Sequence, residues 1–459
     1  MSGNDTPRRV ALDALLRVED GAYAHIIVPE MLRHRRLERR DRALVTDFVY
    51  GTIRRRRTID HLLQSVSSRP LDELDVPVLA ALRLGVYQLL VGVPAHAAVG
   101  ETVNVVAARA RRFVNGVLRS VARLGPEWPI PSGRSVVDIG VRTSHPDWIV
   151  ELLIDAFGID DAIATLDLDN EPPPVTLRIN HARADAAALA TELSSMGVEV
   201  SRGSLVRDAL LVRNVGDLAR WPAIRDGRVT PQDQASQAIV AALDPQTDDL
   251  LLDVASAPGG KATAAAERML GKGLIVAADV HDSRARAVAR AAERVRHDDI
   301  IMPIVADGRN TPFRAGVFDR VLLDAPCSGL GVLRRRPDAR WRISPGNIDE
   351  LASLQRELLA ATAALVRPGG RLVYSVCTLT PHETLEIDNW AARELPELVA
   401  QPALGAPWRK HGRGALLLPS DARTDGMFVL IFERAPVTQR REDPPTRVEA
   451  STRRWSRVQ

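Results

Sequence analysis

Residues 250–261, LLLDVASAPGGK, constrain this chain more than any other stretch. Their first half is a short apolar run of the kind a parallel strand shows when helices cover both its faces. Pro258 then removes a backbone donor, Gly259 and Gly260 admit positive φ and close approach of a ligand, and the alanine-rich segment 262–269 begins a helix. Strand, tight turn and helix in that order make a cofactor crevice. An isolated Gly-Gly also serves plain helix–sheet packing, so the reading depends on the pattern of the residues downstream.

That pattern alternates. Residues 231–435 switch repeatedly between strand and helix, which predicts a Rossmann-like α/β domain. A second strand, 273–280, closes on Asp279, 26 residues beyond Asp253 and suitably placed to accept hydrogen bonds from a ribose. Strand-like runs at 300–306, 317–323 and 371–376 lead into Asp307, Asp324 and Cys377. Acids or a thiol thus end five strands on one sheet edge, where open α/β sheets bind ligands. The turn lacks the G-x-G-x-x-G fingerprint and is too short for a P-loop, which disfavours dinucleotide oxidoreductases and NTPases.

At 459 residues the chain is too long for one core, and two or three domains are expected. No run of 18 apolar residues and no signal-peptide core occur, so a cytoplasmic, membrane-free protein is expected. The two cysteines, Cys327 and Cys377, are not expected to pair in a reducing compartment and are candidates for chemistry. Neither His145 nor His181 has a neighbour at metal-ligand spacing, so surface or capping roles and no metal site are expected. A formal charge of only +3 means that any nucleic-acid surface must be local. Only three of the 61 basic residues are lysines, and one of them, Lys261, comes directly after the glycine turn. A compact ammonium there does what a guanidinium cannot in a tight site.

Residues 1–130 read as all-helical, with ten arginines against three acids between positions 31 and 57. That run is either a solvated helix face or a phosphate-binding surface. The connector EWPIPSGRSV leads to a small α/β module, 140–230, opened by a helix that Ser144 is placed to cap and containing strand-like runs at 175–180 and 210–212. Arg334, Arg335, Arg336 and Arg340 could hold target phosphates or form a solvated loop. The stretch 436–459, rich in Arg, Pro and Thr, is expected to be disordered.

The segments RDRALVTDFVYGTIRRRRTID (40–60), VPAHAAVGETVNVVA (93–107) and RRFVNGVLR (111–119) resemble the helical RNA-binding domain of the NusB family. Further on, PGGK (258–261), DAPCSGLGVLRRRPDARW (324–341), LVYSVCT (372–378), LLP (417–419) and DGMF (425–428) resemble the RNA cytosine-5 methyltransferases. Together the two matches point to the branch of that family that modifies small-subunit ribosomal RNA. Two departures stand out: the family commonly has Ser-Thr-Cys-Ser where this chain has Ser375-Val376-Cys377-Thr378, and Thr-Gly in place of Leu330-Gly331.

The resemblance implies a seven-stranded S-adenosylmethionine methyltransferase fold acting, as a monomer, on carbon 5 of a cytosine. It assigns Asp253, Ala257, Pro258, Gly259, Gly260 and Lys261 to the methionine and ribose side of the cofactor, Asp279 to its ribose hydroxyls and Asp307 to its adenine, with Asp324 also at the site. Cys377 becomes the nucleophile and Cys327 assists product release; a donor toward the ring's N3 side favours the addition, and Asp324 suits that role only if its pKa is raised or it shares a proton. Carbon 5 of cytosine is a poor nucleophile until a thiolate adds at carbon 6, so the chemistry needs such a group. A transfer-RNA enzyme and a non-catalytic RNA binder with a dead methyltransferase fold are the alternatives. The intact Asp324, Cys327 and Cys377 argue against the second.

Overall fold

The computed structural model describes residues 6–213, 215–216 and 218–436, so the expected disordered tail lies, from residue 437 on, outside the described residues. At the front, the helices Pro7–Glu19, Ala24–His34, Arg39–Arg54, Arg56–Gln64, Val76–Leu90, Ala95–Val105 and Ala108–Ala122 enclose one core around Phe48, Val49, Ile59, Leu62, Leu84 and Leu118. The helix Val76–Leu90 is buried from Ala80 to Leu89, because it is apolar on nearly every face and takes the central position.

Three more helices, Val136–Thr143, Asp147–Phe157 and Ile159–Leu168, belong by packing to the catalytic half: Ile139, Ile149, Leu153 and Leu166 share a core with Leu330, Leu333 and Tyr374. Ser144 does not cap the helix after it. It ends the preceding one in the left-handed region (φ 59°), and its hydroxyl accepts the Arg57 backbone N–H at 2.9 Å. His145, expected at the surface or in a cap, is fully buried, and burial holds its pKa well below the ordinary value.

The small module is a four-stranded antiparallel sheet of β1 (Val175–Ile179), β2 (Glu199–Arg202), β3 (Leu210–Arg213) and β4 (Val229–Pro231), in the order β2-β3-β1-β4. Two of these strands escape the sequence reading. One is three residues long and the other, Glu-Val-Ser-Arg, buries none of its side chains fully, so neither carries a clear apolar alternation.

The main sheet comprises β5 (Leu250–Val254), β6 (Leu274–Asp279), β7 (Ile301–Val305), β8 (Phe318–Asp324), β9 (Val366–Val376), β10 (Leu398–Ala400), β11 (Arg409–His411), β12 (Gly414–Leu417) and β13 (Met427–Arg434). Its order is β11-β12-β13-β9-β8-β5-β6-β7, with β10 pairing β13. The expected seven strands form the body, and the three-residue β10 and β11 extend it to nine. Strands β7, β6, β5, β8 and β9 are parallel, whereas β13 runs antiparallel to β9. The chain winds outward from β5 through β6 to β7 and then returns to β8 on the other side. The switch point between β5 and β8 opens a crevice at their carboxyl ends. Among the described residues no helix is long and apolar enough to cross a membrane.

The loop after β8 joins all these parts, and it overturns most of the expected phosphate contacts. Arg340, with no exposed surface, donates to the carbonyls of Arg54 (3.4 Å), Ser144 (3.1 Å) and Asp169 (3.3 Å) and to Asn170 Oδ1 (3.1 Å). Arg334 is buried and donates to the Arg423 carbonyl, and Arg335 is held between Asp233 and Asp425 at 2.7 and 2.9 Å. Trp341 Nε1 donates to the Ile53 carbonyl, and Arg342 donates to the carbonyls of Val18, Gly21 and Ala22. The carbonyl acceptors cluster at the C-terminal ends of five helices, the short Pro419–Ala422 among them, where carbonyls lack intrahelical donors and the helix dipole is negative. Donors on one loop thereby fasten five helices. Of the four arginines read as phosphate contacts only Arg336 remains exposed.

Candidate active site

The crevice begins with a turn whose geometry only its own residues allow. Ala255 sits at φ 60° and Gly259 at φ 96°, and a Cβ added to Gly259 would lie 3.1 Å from Val288 Cα. The helix Gly260–Arg268 then starts with no side-chain cap, so its first N–H groups and positive dipole end point into the crevice. Asp253 is 1% exposed. It accepts from the Ser256 hydroxyl at 2.7 Å through Oδ2, while Oδ1 has no partner. Burial raises its pKa to about 7, against the Ser256 hydrogen bond. Asp279 closes β6 and is equally buried; its Oδ2 lacks a hydrogen bond, although the guanidinium of the half-exposed Arg284 stands 3.3 Å away.

Those two orphaned acceptors, an open helix N-terminus and a glycine cradle fit S-adenosylmethionine, which carries an ammonium, a carboxylate and two ribose hydroxyls. Asp307, just past β7, is half-buried and holds Arg309 through both carboxylate oxygens, which pulls its pKa below the ordinary value.

Across the switch point stand the thiols. Cys327 and Cys377 come after the neighbouring parallel strands β8 and β9, and their sulfurs are 3.2 Å apart. Cys377 has its pKa lowered, above all because the Cys327 thiol donates to it; burial and Asp324 oppose this, and Lys261 and Arg336 assist it. Cys327 is pushed well above the ordinary thiol value by the same hydrogen bond, by burial and by the charges of Cys377, Glu383 and Asp324. The two sulfurs are therefore unequal, with the lower pKa at Cys377 and the higher at Cys327.

Lys261 reaches across from the glycine turn and donates to Asp324 Oδ2 at 2.6 Å, while the Ser375 hydroxyl donates to Oδ1 at 2.8 Å. Burial lowers the Lys261 pKa, but Asp324 more than compensates and the net shift is upward. Both Asp324 oxygens accept hydrogen bonds here, from Lys261 and from Ser375, so its contacts are an acceptor's and not those of the donor that the sequence reading made conditional on a raised pKa or a shared proton.

Several residues that build the site are not evident from sequence. Gly331 donates its N–H to the Cys377 carbonyl at 3.0 Å and accepts from Gly426 N–H at 2.7 Å; a Cβ on Gly331 would lie 2.4 Å from the Gly426 oxygen. The motifs CSGLG and DGMF thus meet at the backbone of the thiol. Arg178 on β1 donates to the Gly260 carbonyl, Thr263 Oγ1 and both oxygens of Glu267, fixing the crevice helix from the small module. Glu383, with no exposed surface, sits beneath both cysteine loops. A regular sequence signal exists only for the glycines.

The front domain also reaches this face. Arg342 stacks over Tyr23 at 4.6 Å, and Arg336, Asp338 and Arg342 all act electrostatically on His25. Tyr23 and Ile26 are 51% and 56% exposed. Nearby, a cavity of about 240 Å³ between the front domain and the loop is lined by Glu19, Arg56, Arg83, Asp338, Trp341 and Arg342. It shares no residue with the cofactor crevice, and its deepest cation, Arg83, is already paired with Asp60 and Glu19.

Residues 240–433 match the family model described as 16S rRNA methyltransferase RsmB/F, residues 5–123 match the NusB family, and residues 145–219 match the RsmF/B-like ferredoxin-like domain. A probable ribosomal RNA small subunit methyltransferase B of Bacillus subtilis is 34% identical over 442 residues, covering 92% of this chain and 97% of that protein. This chain belongs to the ribosomal RNA small subunit methyltransferase B family. The Vibrio cholerae member is 30% identical over 86% of this chain and 90% of its own length. The crystal structure of PH0851 superposes with a TM-score of 0.80 at 26% identity, covering 95% of this chain and all of that one. NSun6 from Pyrococcus horikoshii, with a TM-score of 0.56 at 21% identity over 63% of this chain and 98% of its own, shares the fold. Family and crevice agree on S-adenosylmethionine as the cofactor.

Proposed function

We propose that this protein methylates carbon 5 of a cytosine in small-subunit ribosomal RNA through a covalent Cys377–RNA adduct. The observation that carries the reading is the pair of thiols 3.2 Å apart, beside Lys261–Asp324 and facing the cofactor crevice. The RNA substrate rests on the names of the relatives, which are ribosomal RNA small subunit methyltransferases. Exposed Tyr23, Ile26 and Arg336 fit an unstacked strand that must bring one base to the thiols, since aromatic faces stack bases and cations hold phosphate.

The Cys377 thiolate adds to carbon 6 of the ring, N3 takes up a proton, and the Asp324 carboxylate stabilises that N–H. The ring is now an enamine with a nucleophilic carbon 5, and S-adenosylmethionine, which Asp253, Asp279 and the glycine turn would hold, would supply the methyl group from its sulfonium. Adduct formation consumes the charge on Cys377. With it go the hydrogen bond and the negative neighbour that held the proton on Cys327. Cys327 then loses its proton to solvent and, as a thiolate, takes the one on carbon 5. Elimination expels the Cys377 thiolate, N3 returns its proton, and the pair is back in its starting state with one proton released overall.

The test separates the thiols. Cys377→Ala should abolish methyl transfer and covalent capture of RNA, whereas Cys327→Ala should add, methylate and stall, giving a denaturation-resistant RNA–protein band. Capture that survives in Cys377→Ala and disappears in Cys327→Ala would overturn the assignment. Bisulfite sequencing of ribosomal RNA from cells lacking the protein identifies the base.

A further inference from the structure

Glu383 ends the short turn Pro381–Glu383 beyond β9 and has no exposed surface. Its Oε1 accepts the Ser328 backbone N–H at 2.8 Å and Gln355 Nε2 at 3.0 Å; its Oε2 accepts the Ser328 hydroxyl and the Thr380 hydroxyl, the latter at 2.8 Å. Four donors converge on the two oxygens, which is how a buried carboxylate is held without a counter-cation. The Ser328 hydroxyl spends its hydrogen on Glu383, so at its 2.6 Å contact with Thr378 Oγ1 it must accept. Ser328 is the residue after Cys327, and Thr378 is the residue after Cys377. One carboxylate therefore gathers the residue next to each thiol. Gln355 extends the same network, since its Nε2 also donates to the Pro326 carbonyl at 2.8 Å and its Oε1 lies 3.0 Å from the Tyr374 hydroxyl.

We propose that Glu383 is a positioning residue that ties the two cysteine loops together and makes the two thiols unequal by placing a carboxylate on the Cys327 side of the pair. The spacing comes from the hydrogen bonds through Ser328 and Thr378. The inequality comes from placement: Glu383 accepts from both the backbone and the hydroxyl of Ser328, next to Cys327, and its charge acts on Cys327, whereas the cations Lys261 and Arg336 act on Cys377. The other charged or titratable groups around the pair are Asp324 on β8 and Tyr374 on β9. From the helix Pro345–Ala363, packed on the turn, Arg356 faces Glu386 and acts on Tyr374, and His382, on the turn itself, lies between Asp349 and Glu386. A negative group on the Cys327 side and positive groups on the Cys377 side make the two sulfurs unequal before substrate arrives.

The inference rests on the two-thiol reading of the site, but the alkylation that decides it uses neither RNA nor cofactor. The full chain and its Glu383→Gln variant are alkylated with limiting iodoacetamide across a pH series, and each cysteine is quantified by peptide mass spectrometry. The unsubstituted protein should modify Cys377 ahead of Cys327. In Glu383→Gln the Cys327 reaction should move to lower pH and its share should rise roughly tenfold, the ratio that one pKa unit produces. Glu383→Asp keeps the charge and withdraws it by one methylene, so the alkylation order should persist while turnover on RNA falls at unchanged KM. An order and pH profile in Glu383→Gln identical to those of the unsubstituted protein would overturn the proposal. So would a drop in thermal stability in both variants with no change in order, because that is what a purely structural carboxylate gives. If Glu383→Gln does not fold, Glu383→Asp decides: loss of the order with the charge retained refutes the electrostatic assignment. Failure of Cys377→Ala to abolish RNA capture refutes the underlying reading and leaves the alkylation result standing.

Discussion

Replacing Arg340 with Met should destabilise the junction of the domains and leave RNA affinity almost untouched, the reverse of what its place in an arginine-rich loop suggests. The guanidinium is fully buried and serves four acceptors, the carbonyls of Arg54, Ser144 and Asp169 and the side chain of Asn170. Each buried acceptor stripped of its donor costs about 1–3 kcal/mol. Against this stands the desolvation that pulls the Arg340 pKa down to about 9, and its Nε has no partner at all. Removing one member of a buried polar cluster typically costs about 3–5 kcal/mol net. At about 2–4 °C per kcal/mol, the calorimetric midpoint should fall by roughly 10 °C. Arg336→Ala is the matched control, since Arg336 is exposed and faces the thiols. It should leave the midpoint in place and reduce the slope of log affinity against log salt by about 0.7–0.9, the signature of one lost phosphate contact. An unchanged midpoint in Arg340→Met together with a reduced salt slope would refute the reasoning and return Arg340 to the RNA surface.

Asp279→Ala should weaken S-adenosylmethionine binding by about tenfold or more, since one buried acceptor for the ribose is lost, and isothermal calorimetry reads this directly. Gly331→Ala should lower turnover sharply, because its Cβ would lie 2.4 Å from the Gly426 oxygen and move the segment that bonds the Cys377 carbonyl; unchanged turnover would exclude that contact as a determinant. In Lys261→Met the cation that helps lower the Cys377 pKa disappears and Asp324 faces the thiol unopposed. Both changes push the thiol up, so the onset of Cys377 alkylation should move to higher pH. Arg178→Ala should raise the dissociation constant of the cofactor without altering the alkylation of Cys377, because Arg178 fastens the crevice helix and touches neither sulfur.

The local pattern of the chain determined the crevice. An apolar run, a Pro-Gly-Gly turn and a helix start are nearest-neighbour properties, and so is the placement of an acid or a thiol at the end of each of five strands. For the same reason the two thiols could be placed on neighbouring strand ends, although 50 residues separate them. Which arginines touch solvent was not a local property. Arg334, Arg335, Arg336 and Arg340 look alike in sequence, and their fates diverge because carbonyls and carboxylates from elsewhere in the chain arrive at three of them, in the case of Arg340 from 170 to 286 residues away. Ser144 has the composition of an N-cap and serves instead as the end of the previous helix, a choice made by the Arg57 N–H that meets it. His145 is buried by packing that no spacing rule encodes. Glu383 and Arg178 escaped notice because their importance lies wholly in what they hold. Sequence periodicity fixes where strands end; only the assembled fold brings donors and acceptors into contact, and with them the protonation of the site.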